Sequence, residues 1–200
     1  MLNGGIIVFF YVDDIMFYYH KHEDERTRAL IRGLQKTYEM NILGELKWFL
    51  GIHVLRDRSQ RQLWLSQQAF IEKITNQYEI NLTGRLPDTP MSGSELHPSP
   101  PTLRKASLAT VLKYQRQMGS LLYAAITTRP DIAFAVSRLA RFNQNPSVDY
   151  RDAVDRLLRY LYRTRGLAIR YGGSTTGRCD TGARAFVCAS DASFADNSVD

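Results

Sequence analysis

The adjacent acids Asp13 and Asp14 constrain this chain more than any other feature. They separate two runs rich in β-branched and aromatic residues, 6–12 and 15–19. Such runs predict strands, and two residues of turn chemistry between them predict a tight hairpin with acids at its tip. Both strands are expected to be buried on at least one face. Neighbouring carboxylates repel each other and are costly to hold at the end of a buried hairpin without a counter-charge. Two uses fit such a turn. The acids can serve turn geometry alone, or they can be half of a site in which two divalent ions about 4 Å apart promote phosphoryl transfer.

Past the hairpin the period changes. Glu23, Asp24 and Glu25 open a predicted helix whose apolar face is Leu30, Ile31, Leu34 and Tyr38, with Gly44 beyond its end. The stretch 46–55 reads as a strand, 57–62 as a polar turn and 63–65 as a returning strand, which makes a second hairpin. Ser66 is a suitable N-cap for a helix over about 67–78 with Phe70, Ile71, Ile74 and Tyr78 as its stripe. Pro87, Pro90, Pro98, Pro100 and Pro101 then exclude a helix or central strand from 83–102 and mark a linker. Three helices are predicted after it, over about 107–127, 131–143 and 148–165. A glycine-rich joint at 172–184 precedes a new strand at 186–189. The fold class is therefore α+β.

Charge is distributed unevenly. Residues 101–172 hold 13 Lys and Arg against 4 Asp, whereas residues 1–100 carry 11 basic and 12 acidic groups. A regional positive field suits a polyanionic partner through counterion release, and it equally suits a solvated helix face. The two cysteines, Cys179 and Cys188, are too few for a disulfide framework and form no zinc motif, which fits a reducing, intracellular setting. No basic residue precedes the apolar run 6–12 and the acids cut it short, so it is not a signal peptide. No stretch approaches the roughly 20 apolar residues of a membrane span.

Several blocks resemble one family. Gly5-Ile6-Ile7-Val8-Phe9-Phe10-Tyr11-Val12-Asp13-Asp14-Ile15 resembles the Tyr-x-Asp-Asp motif of reverse transcriptases, in the Tyr-Val-Asp-Asp form of copia-type elements. Met40-Asn41-Ile42-Leu43-Gly44-Glu45-Leu46-Lys47-Trp48-Phe49-Leu50-Gly51-Ile52 is similar to the segment that follows in that family and ends in the primer-grip hairpin. Tyr114-Gln115-Arg116-Gln117-Met118-Gly119-Ser120-Leu121-Leu122-Tyr123, Thr128-Arg129-Pro130-Asp131-Ile132-Ala133 and Leu157-Leu158-Arg159-Tyr160-Leu161-Tyr162-Arg163-Thr164-Arg165-Gly166-Leu167 continue the resemblance in family order. On these motifs the chain looks like the C-terminal part of the reverse transcriptase domain of a copia-type (Pseudoviridae-like) LTR retrotransposon Pol polyprotein, leading into RNase H.

The resemblance implies a partial palm with both hairpins at 1–65, a thumb-like helix at 66–82 and a Pro/Ser-rich linker at 83–106. A helical thumb and connection region at 107–171, a flexible joint at 172–185 and the start of an RNase H domain at 186–200 follow. It makes Asp13 and Asp14 the catalytic carboxylates for Mg2+ (or Mn2+), with Tyr11 and Val12 beside the primer terminus and incoming nucleotide. Lys47, Trp48, Phe49, Leu50 and Gly51 would shape the primer grip; Trp48 and Phe49 are equally core residues by type. Arg156, Arg159 and Arg163 share a helix face and could track a duplex backbone, although Asp152 and Asp155 stand at i,i+4 spacing and would partly neutralise the stripe. Arg129, Arg138 and Arg141 are similar candidates.

Phe186-Val187-Cys188-Ala189-Ser190-Asp191-Ala192-Ser193-Phe194-Ala195-Asp196 resembles the first RNase H strand and makes Asp191 a metal ligand, although Ser193 and Phe194 depart from the usual Asp-Trp. The implied partners are an RNA template, a DNA primer, their RNA–DNA hybrid, deoxynucleoside triphosphates and the remainder of the Pol polyprotein, with no membrane. The third palm carboxylate is expected upstream of Met1, so this chain alone is expected not to polymerise. A different class of function is a non-catalytic nucleic-acid-binding relic or co-opted module. A nucleotide cyclase would want glycines before the acids, where Tyr11 and Val12 stand.

Overall fold

The computed structural model describes residues 5–93 and 105–172. The expected α+β class holds: five α-helices and two antiparallel sheets are present among the described residues. The chain divides between Lys47 and Trp48 into two compact units.

In the first unit β1 (Ile7–Tyr11) pairs with β2 (Asp14–Tyr18), Tyr11 opposite Asp14 and Ile7 opposite Tyr18. The turn residues are thus Val12 and Asp13, one position before the expected Asp13-Asp14. A two-residue hairpin loop takes a positive φ at its first position, and Val12 has φ 50°. Asp14 accordingly belongs to the ladder and shares a sheet face with Tyr11. The expected burial of these strands is only partial, with Val8, Ile15, Met16 and Phe17 half-buried. Phe10 is 63% exposed, Tyr18 61% and Val12 88%, because two strands and one helix supply no second layer over the sheet.

A 3-10 turn (Lys21–Glu23) leads into α1 (Asp24–Thr37). Asp24 sits in the positive field of the helix start, pairs with Arg28 at 2.9 Å and accepts the Tyr19 hydroxyl at 3.1 Å. Thr27 is fully buried and donates its hydroxyl to the Glu23 carbonyl, 2.9 Å away. Of the expected apolar face, Ile31 and Leu34 are half-buried while Leu30 and Tyr38 are exposed.

The second unit carries a four-stranded antiparallel sheet in the order β3 (Trp48–Phe49), β4 (Ile52–Asp57), β5 (Gln62–Ser66), β6 (Ala168–Gly172). The expected single strand over 46–55 is instead folded back on itself at Leu50 and Gly51, which pairs Trp48 with His53. Leu50 and Gly51 both have positive φ, 51° and 76°, the pattern of a primed hairpin turn whose twist matches its strands. Glycine reaches that region without a Cβ penalty; Leu50 does not. At the other end of β4, the Asp57 carboxylate accepts Ser59 N at 2.8 Å, Ser59 Oγ at 2.6 Å and Gln60 N at 3.0 Å, which fixes the polar turn where it was expected.

Four helices complete this unit: α2 (Gln68–Gln77), α3 (Leu108–Thr127), α4 (Ala133–Ala140) and α5 (Val148–Arg163). The helix expected over 131–143 is a 3-10 turn from Pro130 followed by the shorter α4. Ser66 Oγ accepts Gln68 N at 3.3 Å, and Ser107 Oγ caps α3 through Thr110 N at 3.2 Å. Their apolar stripes meet in one core. Ile71 and Ile74 of α2, Leu121 of α3, Leu139 of α4 and Val154, Leu157, Leu158 and Leu161 of α5 are all essentially inaccessible. Tyr114 of α3 donates its hydroxyl to the Leu139 carbonyl at 2.9 Å, and burial pushes its phenol well above the ordinary tyrosine value.

The division at 47/48 differs from the expected grouping of both hairpins in 1–65. Strand β6, more than a hundred residues downstream, pairs with β5 and draws the second hairpin into the helical unit. Only the part of the expected linker at 83–93 and 105–106 is described, as is residue 172 of the later joint. The strand expected from 186, with Asp191 and both cysteines, lies outside the described residues.

Candidate metal and nucleic-acid sites

The acidic turn is the first element. Val12 places a branched Cβ at φ 50°, where such residues are outliers, and the two flanking strands hold it there. Asp13 and Asp14 are exposed at the end of the hairpin. Neither carboxylate takes an ion pair or side-chain hydrogen bond from the described residues. Among the described residues, nothing compensates their charge. Two hard oxygen donors on consecutive residues fit Mg2+ or Mn2+ in donor chemistry. Among the described residues, no three His, Cys, Asp or Glu side chains converge on one point.

The second element is the turn at Leu50 and Gly51. Trp48 is 53% exposed and stacks on His53 with ring centres 4.3 Å apart, so it is not a core residue, whereas Phe49 is half-buried. Tyr123 of α3 donates its hydroxyl to the Leu50 carbonyl, and its ring meets Phe70 edge-on at 5.0 Å. A helix thus braces the tip of the hairpin from behind. Lys47 is exposed at the end of the first unit.

The arginines separate into three groups. Arg129 was expected as a phosphate contact, and the structure corrects this: the residue is 1% exposed. Its Nε and Nη2 donate to the two carboxylate oxygens of Asp131 at 2.9 and 2.7 Å. Its Nη1 and Nη2 reach the carbonyl and hydroxyl of Thr164 at 3.2 and 2.6 Å. The guanidinium is enclosed because it ties the start of α4 to the end of α5. Tyr160 also donates to Asp131, at 2.9 Å. Burial alone would raise the Asp131 carboxyl, but the bonds and charge of Arg129, with the Tyr160 hydroxyl, hold it below its ordinary value. Arg138 and Arg141 form the second group, half-buried and exposed near the end of α4.

Arg156, Arg159 and Arg163 share a face of α5, as expected. The i,i+4 pairs expected with Asp152 and Asp155 are not among their contacts. All three guanidinium groups turn instead to the segment 83–89, whose carbonyls and side chains they bind. That packing was not legible in sequence, since an irregular proline-containing stretch has no period to read.

Most of this chain is similar to transposon polyproteins. It is 36% identical over 176 residues, 86% of its length, to the retrovirus-related Pol polyprotein from transposon TNT 1-94 of Nicotiana tabacum. It is 34% identical over 171 residues to a putative transposon Ty5-1 protein of Saccharomyces cerevisiae, and 31% identical over 176 residues to the Pol polyprotein from transposon RE1 of Arabidopsis thaliana. The chain is a homologue of copia-type transposon Pol polyproteins.

The chain spans 13% of the tobacco polyprotein, 53% of the yeast protein and 11% of the Arabidopsis polyprotein. No protein-family model and no solved structure matches it. No helix among its described residues is long and apolar enough to cross a membrane. The block Thr128-Arg129-Pro130-Asp131 carried part of the resemblance at the outset, and in the Pol segment it is an internal clamp.

Proposed function

We propose that the chain is part of the RNA-directed DNA polymerase of a copia-type retrotransposon, running from two palm carboxylates through a helical thumb and connection region toward RNase H. The acidic turn supports this most directly. Two adjacent, exposed carboxylates without a partner among the described residues follow a valine whose strained backbone costs on the order of 1–3 kcal/mol, and such strain clusters at sites where geometry matters to function. Asp13 and Asp14 hold the divalent ion, Mg2+ or Mn2+. When bound, the ion neutralises triphosphate charge and lowers the pKa of the attacking hydroxyl.

The chain's own residues position the substrates. Tyr11, opposite Asp14 in the ladder, presents its ring on the carboxylate's face to the primer terminus, and Val12 lies beside the incoming deoxynucleoside triphosphate. The half-exposed Trp48 and the turn at Gly51 offer an aromatic surface and a backbone without a Cβ to the primer strand, and Lys47 offers a cation to its phosphates. Arg138, Arg141, Arg156, Arg159 and Arg163 face the backbone of the template–primer hybrid, with contacts that position without reading sequence. Further ligands come from the remainder of the Pol polyprotein, and Asp191 serves the adjoining RNase H domain.

Two measurements test this proposal on the purified chain. Mn2+ binding followed by water proton relaxation should fall to background in Asp13→Asn/Asp14→Asn; retention of the same Mn2+ sites would refute the metal assignment. Binding to an RNA–DNA hybrid should be strong at low salt, fall steeply as salt rises and be little changed by the double substitution. No hybrid binding even at low salt would refute the nucleic-acid role.

A further inference from the structure

The arginine face of α5 is not free. Arg159 Nη2 donates to the carbonyls of Thr83 at 3.2 Å and Arg85 at 3.1 Å, Arg163 Nη1 to that of Leu86 at 2.9 Å, and Arg156 Nη2 to Thr89 Oγ1 at 3.0 Å. Arg163 also pairs with Asp88. Residues 83–89 therefore lie along the helix and occupy the cations that would meet a nucleic-acid backbone. A cavity of about 630 Å³ remains between this segment and α5, lined by Arg85, Arg156 and Arg159 and also by the carboxylates of Asp88, Asp152 and Asp155.

The fit is incomplete. The Nε atoms of Arg156 and Arg159 are buried and find no acceptor among the described residues. The bonds that are made are exposed, and most go to neutral oxygens. A phosphate adds the attraction of its own charge to the guanidinium bond and can accept from two of its donors at once. The segment's ends are held differently: Ile80 before it and Met91 after it pack against the hydrophobic core. The middle can lift while the ends stay anchored.

We propose that residues 83–89 form a strap that covers the arginine face of α5 and yields to the phosphate backbone of a nucleic acid. The proposal rests on the nucleic-acid role above and adds its regulation. Binding is then limited by the fraction of molecules with the strap open, because apparent affinity falls in proportion to the competent population. Arg85 and Asp88 cancel in charge, so the strap competes by occupying donors and not by repelling the ligand.

The test compares the unmodified chain with one in which 83–89 is replaced by seven Gly and Ser residues, a change that leaves net charge the same. The replacement should bind an RNA–DNA hybrid about tenfold more tightly, and adding Arg156→Gln, Arg159→Gln and Arg163→Gln should abolish the gain. In the unmodified chain, saturating hybrid should speed tryptic cleavage after Arg85, a readout that holds even if the replacement fails to fold. Hybrid binding with unchanged cleavage after Arg85, or equal affinity of the two folded chains, would overturn the strap while leaving the nucleic-acid role intact. Failure of both chains to bind at low salt would overturn both.

Discussion

Substituting Asp131→Ala should destabilise the helical unit by about 3 kcal/mol, the lower end of the roughly 3–5 kcal/mol for breaking a buried ion pair from one side. The magnitude follows from what is left behind. Arg129 would keep its two bonds to Thr164 but lose both bonds to the carboxylate, leaving two N–H donors unpaired on an enclosed cation. Tyr160 would lose its acceptor as well. The lower end applies because the Asp131 side chain is 33% exposed, so water can enter the vacated place and replace part of the lost bonding. Both tryptophans, Trp48 and Trp64, lie in the sheet of this unit, so urea unfolding followed by intrinsic fluorescence reports on it directly. With a urea slope of about 1–3 kcal/mol per molar, the midpoint should fall by roughly 1–3 M.

The double variant Arg129→Met/Asp131→Ala should recover much of the loss, since removing both partners leaves no orphaned charge. The pH dependence has a fixed sign. The Asp131 carboxyl titrates below its ordinary value in the folded state, so its stabilisation is complete at neutral pH and is lost as pH falls from about 3.9 through the folded value. Asp131→Ala should flatten that acid limb. A loss below 1 kcal/mol, or a double variant no more stable than the single, would refute the clamp.

Other outcomes follow from the same geometry. Val12→Gly should stabilise the first unit by about 1 kcal/mol, since the left-handed region costs a residue with a Cβ roughly 1–2 kcal/mol and glycine's own entropy offsets part of the gain; hydrogen exchange across the hairpin measures it. Tyr123→Phe should remove the brace on the Leu50 carbonyl at a cost of about 0.5–1.5 kcal/mol and increase quenching of Trp48 by acrylamide. An unchanged quenching profile would show that the turn holds itself. Gly51→Ala should cost about 1–2 kcal/mol, measured by urea unfolding, because φ 76° strains any side chain there although the nearest atom, the Tyr123 hydroxyl, leaves room for a Cβ.

Local pattern carried much of the fold. The stripes Ile71/Ile74 and Leu157/Leu158/Leu161 have helical spacing and became the core, and Pro130 and Pro146 punctuate the helices as expected. What failed was non-local or one residue wide. The run 46–55 hid a reversal because apolar residues fill both strands and the turn between them; the lone Gly51 was the available signal. The acidic turn slipped by one because Asp13-Asp14 supplies better turn chemistry than Val12-Asp13, and the ladder placed Val12 there regardless. No local period could announce that β6 pairs with β5, or that the first hairpin leaves Phe10 and Tyr18 exposed.

The arginines show why charge is the least legible part of such a site. A guanidinium presents five donors and satisfies them equally with a carboxylate, a backbone carbonyl or a phosphate. Arg129, before Pro130 in a break between helices, and Arg156, Arg159 and Arg163, within α5, have the same side chain. One is enclosed by Asp131 and Thr164, and three are laid against 83–89, Arg159 and Arg163 on its carbonyls and Arg156 on the Thr89 hydroxyl. The difference lies in the acceptors that the fold brings within 3.2 Å, which come from residues 35 to 77 positions away for the long-range bonds. Function follows from how easily each set of acceptors can be exchanged. The bonds of Arg129 are shielded and end partly on a charged group, so they hold the fold together. Those on α5 are exposed, end mostly on neutral oxygens and leave two Nε donors empty, so they are the set a phosphate backbone can replace.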